Sequence, residues 1–364
     1  MAGLLYKEDW DITKEHYTAW WNHDYFGRCA MAVYAQRTNA PDDPPPPKPE
    51  KVEDRWLDLD YVTASNAQGF GRIFYGAEGL PIWHPGHPGC DSHPTYLGCE
   101  VTLDEETGWI YPFIDCESLT DFDYHQLKVD KEGKWWKFGQ ECRHRSVKES
   151  RGKCIPSNLA IGGCGDTLAA LRGTERLLYD VMECPEYVRD FDQYLMKQWI
   201  EIYETSYQIT HEGAEGAAGW FPIWAPGRYY AAQNDFAYMI SPKMYDEIFL
   251  PSIEMQTDYL DYCIYHVDGV GNFNHVKSLL ELPKLQAFQI SPGEGMPSPL
   301  HYLDLLKEIQ ARGKNIFITL PPSEVQTALE LLSARGLFIE TSCATEEEAR
   351  ALIRQAEKWS VDRG

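Results

Sequence analysis

CIYHVDG (263–269) is the first of four strand-like segments in the last part of the chain, each followed by a helix-like segment. The other strand-like segments are LQAFQIS (285–291), KNIFITL (314–320) and LFIETSC (337–343). The helix-like segments are NHVKSLLEL (274–282), LHYLDLLKEIQARG (300–313), SEVQTALELLSARG (323–336) and TEEEARALIRQAEKW (345–359). Short apolar strands that alternate with helices are typical of parallel βαβ construction.

The preceding residues extend this pattern toward the amino terminus. The additional strand-like segments are MAVYAQ (31–36), CIPSNLAI (154–161) and AAGWFPIW (217–224). Helical patterns cover 166–182, 186–211 and the stretch that begins with Ser241 as N-cap and Pro242 at the first position. A doubly wound sheet and a (β/α)8 barrel both fit this order. The chain has no GxGxxG after a strand and no GxxxxGK[ST], so the barrel is favoured.

The domain organisation that we predict is a single α/β domain over residues 1–364, a (β/α)8 TIM barrel with N-terminal helices and an inserted loop or hairpin region. Residues 39–52 contain six prolines and are predicted to form a surface excursion. Residues 80–150 are predicted to form an inserted lid or hairpin region.

Composition excludes several classes of partner. The chain has 56 acidic and 33 basic residues, a net charge of −23 and a pI near 4.8, which argues against nucleic acid and anionic membranes. No stretch of 18 apolar residues and no signal peptide is present, so we expect a cytoplasmic protein. Ten scattered cysteines are typical of reduced, buried thiols.

Polar residues at predicted strand ends are the candidates for chemistry, because barrel enzymes place their active sites there. His266 and Asp268 share one face of their strand by the two-residue period, and Cys343 ends the last strand. Imidazole, carboxylate and thiolate all bind zinc, and three protein ligands leave a position open. Each residue also fits a structural role: His266 as a hydrogen-bonded histidine, Asp268 as the cap of the next helix, and Cys343 as a buried thiol.

Two further groups compete with this metal site. His84, His87, Cys90, Asp91 and His93 lie within ten residues, but their spacing is no standard zinc pattern, and the intervening Pro and Gly residues indicate a loop that lines the pocket or closes over it. The carboxylates near strand ends could instead form a glycosidase pair. They are Asp235, Asp268, Glu294 and Glu340.

The segments 240–295, 165–188 and 340–353 resemble the uroporphyrinogen decarboxylase-like superfamily, a (β/α)8 barrel family. Near the first strand, YAQRTNAP (34–41) keeps only Gln36 and Arg37 of the decarboxylases' RQAGRY-like motif. The resemblance is therefore nearer to the corrinoid-linked methyltransferases of the family. Their zinc-dependent members carry His-x-Cys on one strand and a Cys at the end of the last, where this chain has His266, Asp268 and Cys343.

The resemblance implies a metal, zinc or another divalent ion, that acts as a Lewis acid while a methyl group moves between a small molecule and a corrinoid or folate carrier. His266 and Asp268 are then catalytic, and Asp235 is the candidate proton carrier. The residues expected to wall and orient a flat substrate are Trp83, Trp224, Arg228, Tyr230, Gln233, Gln289 and Glu294. An ion pair between Arg228 and Asp235 is the structural alternative.

The expected partners are a small-molecule substrate and a separate corrinoid protein, with tetrahydrofolate as another carrier. The oligomeric state stays open, a homodimer included. Three other functions remain: a metal-independent decarboxylase or lyase, a glycosidase, and a barrel that binds a ligand without catalysis.

Overall fold

The computed structural model describes residues 3–84, 86 and 90–364, with the backbone alone at Cys164. The α-helices are α1 (Trp10–Trp21), α2 (Val52–Leu57), α3 (Leu59–Arg72), α4 (Ser92–Tyr96), α5 (Lys134–Ser150), α6 (Cys164–Arg172), α7 (Thr174–Glu183), α8 (Pro185–Ala214), α9 (Pro242–Ile248), α10 (Leu250–Tyr259), α11 (Val276–Leu279), α12 (Leu303–Ala311), α13 (Val325–Leu331) and α14 (Glu346–Trp359). The strands are β1 (Ala30–Gln36), β2 (Ile73–Ala77), β3 (Glu100–Leu103), β4 (Gly108–Tyr111), β5 (Ala217–Ala218), β6 (Trp224–Ala225), β7 (Tyr229–Ala232), β8 (Tyr262–Asp268), β9 (Ala287–Ser291), β10 (Asn315–Thr319) and β11 (Leu337–Thr345).

A seven-stranded sheet in the order β2-β1-β11-β10-β9-β8-β7 organises the molecule. Every pair in it is parallel except β1 with β2. The α/β class and the βαβ order predicted for the last part of the chain are therefore confirmed. The carboxyl ends of the six parallel strands lie along one edge, which brings their following loops together.

The ladder among the described residues has β2 and β7 at its edges rather than closing on itself. The predicted strand at 154–161 makes only an isolated parallel bridge, between Ile82 and Ile155. At its other end, the backbone N–H groups of Ile161 and Gly162 donate to the Tyr230 hydroxyl at 2.8 and 3.2 Å. Residues 154–162 thus contact the chain that follows β2 at one end and the edge strand β7 at the other, each through few hydrogen bonds.

The predicted strand at 217–224 differs most from the structure. Its two ends form the small antiparallel pair of β5 with β6, and the sheet strand is β7, five residues further on. By contrast, the predicted cap at Ser241 is confirmed, because its hydroxyl accepts the N–H of Met244 at 3.3 Å.

Side-chain alternation divides the sheet into two apolar faces. One face carries Ile264, Ala287, Phe317 and Phe338 and packs against α1. The Phe317 and Phe338 rings on this face stack with centroids 4.8 Å apart. The opposite face packs against the surrounding helices and carries Tyr265, Phe288, Ile290, Ile316, Ile318, Leu337 and Ile339.

The predicted inserted regions have their own local structure. Residues 39–51 form no helix or strand, and α2 begins directly after them. Residues 80–150 contain α4, the hairpin of β3 with β4, and α5. Within the described chain, no helix combines the length and apolar character that crossing a membrane requires.

A buried ion pair fastens the amino-terminal segment to the sheet. Glu78 is fully buried and accepts hydrogen bonds from both terminal nitrogens of Arg28 at 2.6 and 2.7 Å. It also accepts the N–H of Met31 at 2.7 Å and contacts His16 Nδ1 at 2.7 Å. Burial alone would raise the pKa of Glu78, but Arg28 and His16 outweigh it and lower the pKa to about 2.

We predict that Glu78→Gln lowers the free energy of unfolding by about 3 kcal/mol, because it leaves the Arg28 guanidinium buried without a counter-charge. Chemical denaturation followed by tryptophan fluorescence measures the change. The matched control is Glu247→Gln, which removes an exposed ion pair with Lys243 at 3.7 Å and should change stability by about 0–0.5 kcal/mol. Equal effects of the two substitutions would contradict the prediction.

Candidate functional site

Asp235, His266 and Asp268 converge at the carboxyl edge of the parallel sheet. His266 and Asp268 lie two residues apart on β8 and project from the same face, while Asp235 begins the turn that follows β7. One potential ligand atom of each residue lies within 4.8 Å of those of the other two. Two carboxylates and an imidazole form a donor set that suits a divalent transition metal.

Neighbouring side chains orient His266. Gln289 lies beside it in the register of β8 with β9, and its amide oxygen is hydrogen-bonded to His266 Nδ1. Since an amide oxygen only accepts, Nδ1 carries the proton and the lone pair is on Nε2. Trp220 packs edge-on against the ring, with centroids 5.3 Å apart. Histidines that bind metals usually donate the N–H of their other ring nitrogen in this way, as His266 does to Gln289.

Two more carboxylates, Asp91 and Asp166, stand next to the three converging residues. Asp166 accepts the N–H of Phe236 at 2.9 Å and contacts the Gln233 amide nitrogen at 3.4 Å. Burial and the negative charge of Asp235 raise its pKa well above the usual value. The same two causes raise the pKa of Asp91 to about 6. Both shifts favour the protonated form of these carboxyl groups relative to an ordinary aspartate.

Asp235 itself experiences opposing influences. Loss of water around its carboxylate raises the pKa, the neighbouring His266 lowers it, and the charge of Asp268 raises it again. The net direction is upward. A divalent cation among these residues would relieve the repulsion between the carboxylates.

Two cavities meet at Asp91 and Gln233, which line both. The inner cavity has a volume of about 490 Å³, and its walls include Trp83, Trp220 and Leu159. The outer cavity has a volume of about 510 Å³ and is lined by both Asp166 and Asp235, with apolar groups of the β4 hairpin. No lysine or arginine is among the described residues that line either cavity. A small molecule and a second reactant can therefore approach the carboxylates from two sides.

The predicted substrate-binding residues divide into two groups. Trp83 and Gln233 line the inner cavity, and Gln289 orients His266. Glu294 is exposed in the loop after β9. The structure does not bring the remaining three residues, Trp224, Arg228 and Tyr230, to the site.

Trp224 and Arg228 precede β7 and therefore lie away from its carboxyl end. Trp224 is buried against Trp10 and donates its indole N–H to the Ala214 carbonyl at 2.8 Å. Arg228 pairs with Glu204 at 3.0 Å, which also replaces its predicted ion pair with Asp235. The reason is the misplaced strand, since Trp224 was predicted to end a strand and Arg228 to follow it, whereas the sheet strand begins at Tyr229.

Tyr230 is buried on the helix-facing side of β7. Its ring packs on Trp199 with centroids 4.9 Å apart, and its hydroxyl binds the backbone of residues 161 and 162. It supports the wall of the site and does not contact the cavities as a lining residue.

Cys343 does not join His266 and Asp268, which corrects the predicted ligand set. It packs with the helix-facing apolar cluster that includes Leu337 and Ile339 of the same strand. Side chains at even positions of β11 project to the other face, where Phe338 lies. Burial and the charge of Glu348 raise the pKa of the Cys343 thiol, which disfavours the thiolate that a metal needs.

The cluster near residue 90 lines the cavity in part. His84, Cys90 and Asp91 contribute to the inner cavity. His93 is buried instead, and its Nε2 contacts the Gln198 amide oxygen at 3.3 Å. Burial lowers its pKa to about 4. His87 lies outside the described residues.

Asp166 and Trp220 are the members of the site that sequence reasoning missed. Asp166 follows the strand-like segment 154–161, so a search of all strand ends could have included it. Asp91 was considered only within the histidine-rich loop. Trp220 lies inside a segment predicted to be a strand, and no pattern in the sequence distinguishes it from a core tryptophan.

Comparison with known proteins is informative about the fold. The sequence matches no family model and no curated protein. Its structure is similar to that of a methyltransferase from Methanosarcina mazei, with a TM-score of 0.58, over 95% of this chain and 98% of that chain, at 9% sequence identity. At this identity the likeness shows the fold alone, and it extends over nearly the whole of both chains.

We predict that Asp91→Asn raises the free energy of unfolding by about 1–2 kcal/mol at pH 7.5. The folded-state pKa of about 6 exceeds the ordinary value of 3.8. Stability therefore falls as the pH rises from about 3.8 to about 6, and the full destabilisation by the carboxylate is present above pH 6. At pH 4 the group is protonated in the folded protein and the substitution should have little effect. Denaturant titrations at both pH values measure the difference.

The control for this experiment is Asp42→Asn, in the exposed proline-rich segment, which should change stability at neither pH. A stabilisation by Asp91→Asn that is equal at pH 4 and pH 7.5 would show that the charge is not its cause.

Proposed function

We propose that this protein is an enzyme that transfers a methyl group between a small molecule and a corrinoid or folate carrier, assisted by a divalent metal bound by Asp235, His266 and Asp268. The observation that carries the proposal is the convergence of these three side chains at the carboxyl edge of the parallel sheet. The similarity of fold to a methyltransferase supports the choice of reaction. Membership of the uroporphyrinogen decarboxylase-like superfamily, with residues 154–162 completing a (β/α)8 barrel, is part of the same proposal.

The donor set fits a metal with borderline preferences, zinc included, because it combines an imidazole with two oxygen ligands. Such an ion, when bound, supplies Lewis-acid polarisation of the methyl-bearing or methyl-accepting group. Gln289 holds His266 in the tautomer that leaves Nε2 as the ligand atom. The pKa values of Asp166 and Asp91 are raised, so these carboxyl groups can donate a proton to the product from which the methyl group has been removed.

The two cavities suit a reaction between two partners. The inner cavity holds the small molecule between aromatic walls, and the outer cavity opens beside Ile110 and Met239. We assign the outer side to the carrier, which is a corrinoid protein or tetrahydrofolate. Neither reactant then has to displace the other during transfer.

A metal-independent decarboxylase or lyase is the second candidate. It is favoured by Asp91 and Asp166, because carboxyl groups with raised pKa values are suited to general acid–base catalysis without a metal.

We predict that the purified protein binds about one equivalent of Co²⁺, and that His266→Ala and Asp268→Asn each weaken binding by more than about 100-fold. Gln289→Leu, which removes the partner of a ligand, should weaken it by about 10- to 100-fold. Equilibrium dialysis gives the affinities, and the visible spectrum reports the ligands. Cys343→Ser is the matched control and should leave both unchanged, because its side chain faces the helices. Loss of Co²⁺ binding in Cys343→Ser would instead indicate that the Cys343 thiolate is a metal ligand, as the sequence predicted.

We predict that the Co²⁺- or Zn²⁺-loaded protein accelerates formation of methylcobalamin from free cob(I)alamin and a small methyl donor. Absorbance of the cobalamin follows the reaction, with methanol, a methyl ether and methylated amines as donors. His266→Ala should abolish it, since the metal ligand is lost. Methylcobalamin that forms equally well with chelated protein and with His266→Ala would contradict the role of the metal. A compound that both preparations convert without forming methylcobalamin would support the decarboxylase or lyase instead.

A further inference from the structure

The inner cavity carries negative charge that the three-residue metal site does not balance. Asp91 lines this cavity, and Asp166 stands beside Gln233, which also lines it. A divalent ion held by Asp235, His266 and Asp268 would neutralise the two carboxylates among its ligands and leave Asp91 at the cavity wall. The described lining residues include no basic Lys or Arg side chain that could pair with Asp91. An unpaired carboxylate at a cavity wall favours a cationic ligand.

Aromatic walls point to the form of that cation. Trp83 and Trp220 line the same cavity, and the Trp220 ring contacts the imidazole of His266. The face of an indole attracts ammonium groups, and quaternary ammonium ions that cannot donate hydrogen bonds are held chiefly in this way. A methyl group on such a nitrogen would lie beside Trp220 and therefore next to the metal-binding residues.

Asn158 adds an independent polar feature. It lines the inner cavity, is 1% exposed, and its Nδ2 has no hydrogen-bond partner among the described residues. Its other amide atom, Oδ1, lies 3.1 Å from the Thr210 hydroxyl, which fixes the orientation of the amide. A buried amide N–H₂ without a partner is unfavourable, so a ligand that supplies an oxygen acceptor would satisfy it.

We propose that the methyl donor of this enzyme is a small methylated ammonium compound that also carries a carbonyl or carboxylate oxygen. The ammonium group lies between Trp220 and Asp91, and the oxygen accepts a hydrogen bond from Asn158. This inference rests on the proposed methyl transfer and names its substrate class.

The transfer balances without a further reactant. One carbon–nitrogen bond of the ammonium group breaks, and the nitrogen keeps the electron pair as a neutral amine. The cobalt(I) corrinoid supplies the electron pair of the new cobalt–carbon bond. The positive charge that the carboxylates stabilise is lost from the substrate, which favours release of the amine product.

The test is titration calorimetry of the full-length, Co²⁺-loaded protein with three probes. Glycine betaine has both features, tetramethylammonium lacks the oxygen, and 3,3-dimethylbutanoate replaces the charged nitrogen of betaine by carbon at almost the same shape. We expect betaine to bind about 10- to 30-fold more tightly than 3,3-dimethylbutanoate, the isostere that lacks the cationic nitrogen. Equal affinity of betaine and the isostere, or no binding of either cation, would overturn the inference.

Three substitutions assign the effect to the cavity. Asp91→Asn and Trp220→Leu should each weaken betaine binding by about tenfold. Neither substitution should weaken binding of 3,3-dimethylbutanoate to the same extent, because that compound has no cationic nitrogen. Asn158→Leu should weaken betaine and spare tetramethylammonium. Trp109→Leu, at an exposed tryptophan of the hairpin, is the matched control and should change none of the affinities. Unchanged betaine binding in both Asp91→Asn and Trp220→Leu would exclude this cavity.

The result separates the inference from the proposed function. If methylcobalamin forms from methanol or an ether while no ammonium compound binds, methyl transfer stands and the substrate class is wrong. If betaine binds as expected but no methyl group reaches cobalamin, the cation site stands and the inference fails in its assignment of betaine-like compounds as methyl donors.

Discussion

The alternation of side chains along the parallel strands is the constraint on which the rest of the structure depends. One residue in two contributes to the helix-packed surface, and the residue between contributes to the opposite face. Shifting a strand by one residue would exchange the two sets and expose the apolar one. His266 and Asp268 therefore converge with Asp235 because the sheet cannot move β8 without losing its core, whereas Cys343 is held on the other face for the same reason.

The carboxylates at the sheet edge oppose the stability that the core provides. Burial and mutual repulsion raise the pKa of Asp91, Asp166 and Asp235, so their ionised forms destabilise the fold. A protein retains such an arrangement where function requires it, since perturbed carboxylates in a cavity are typical of catalytic and ligand sites. The buried Glu78 shows the contrasting structural solution, in which Arg28 and His16 lower the pKa and the charge is balanced within the chain.

Sequence reasoning named the three residues that converge, Asp235, His266 and Asp268, but not Asp166 and Trp220 beside them. The two-residue spacing of His266 and Asp268 was enough to place them on one face of a strand. Trp224 and Arg228 were misplaced because apolar residues at 217–224 form a small antiparallel pair instead of the sheet strand. A short apolar run does not reveal its pairing partners, and the end of the strand moves with them.

The sequence by itself determined the α/β class, the parallel order of the last strands, the acidic surface and the residue types available for chemistry, because periodicity and composition are local properties of a chain. Only the tertiary structure decided which carboxylates meet. Asp91, Asp166 and Asp235 come from three separate parts of the chain, at or near the starts of helical segments, and their approach depends on how the strands are ordered and paired. It also decided that Cys343 packs against the helix-facing cluster, because that depends on how β11 pairs with its neighbours and on the irregular register between Ser342 and Thr345.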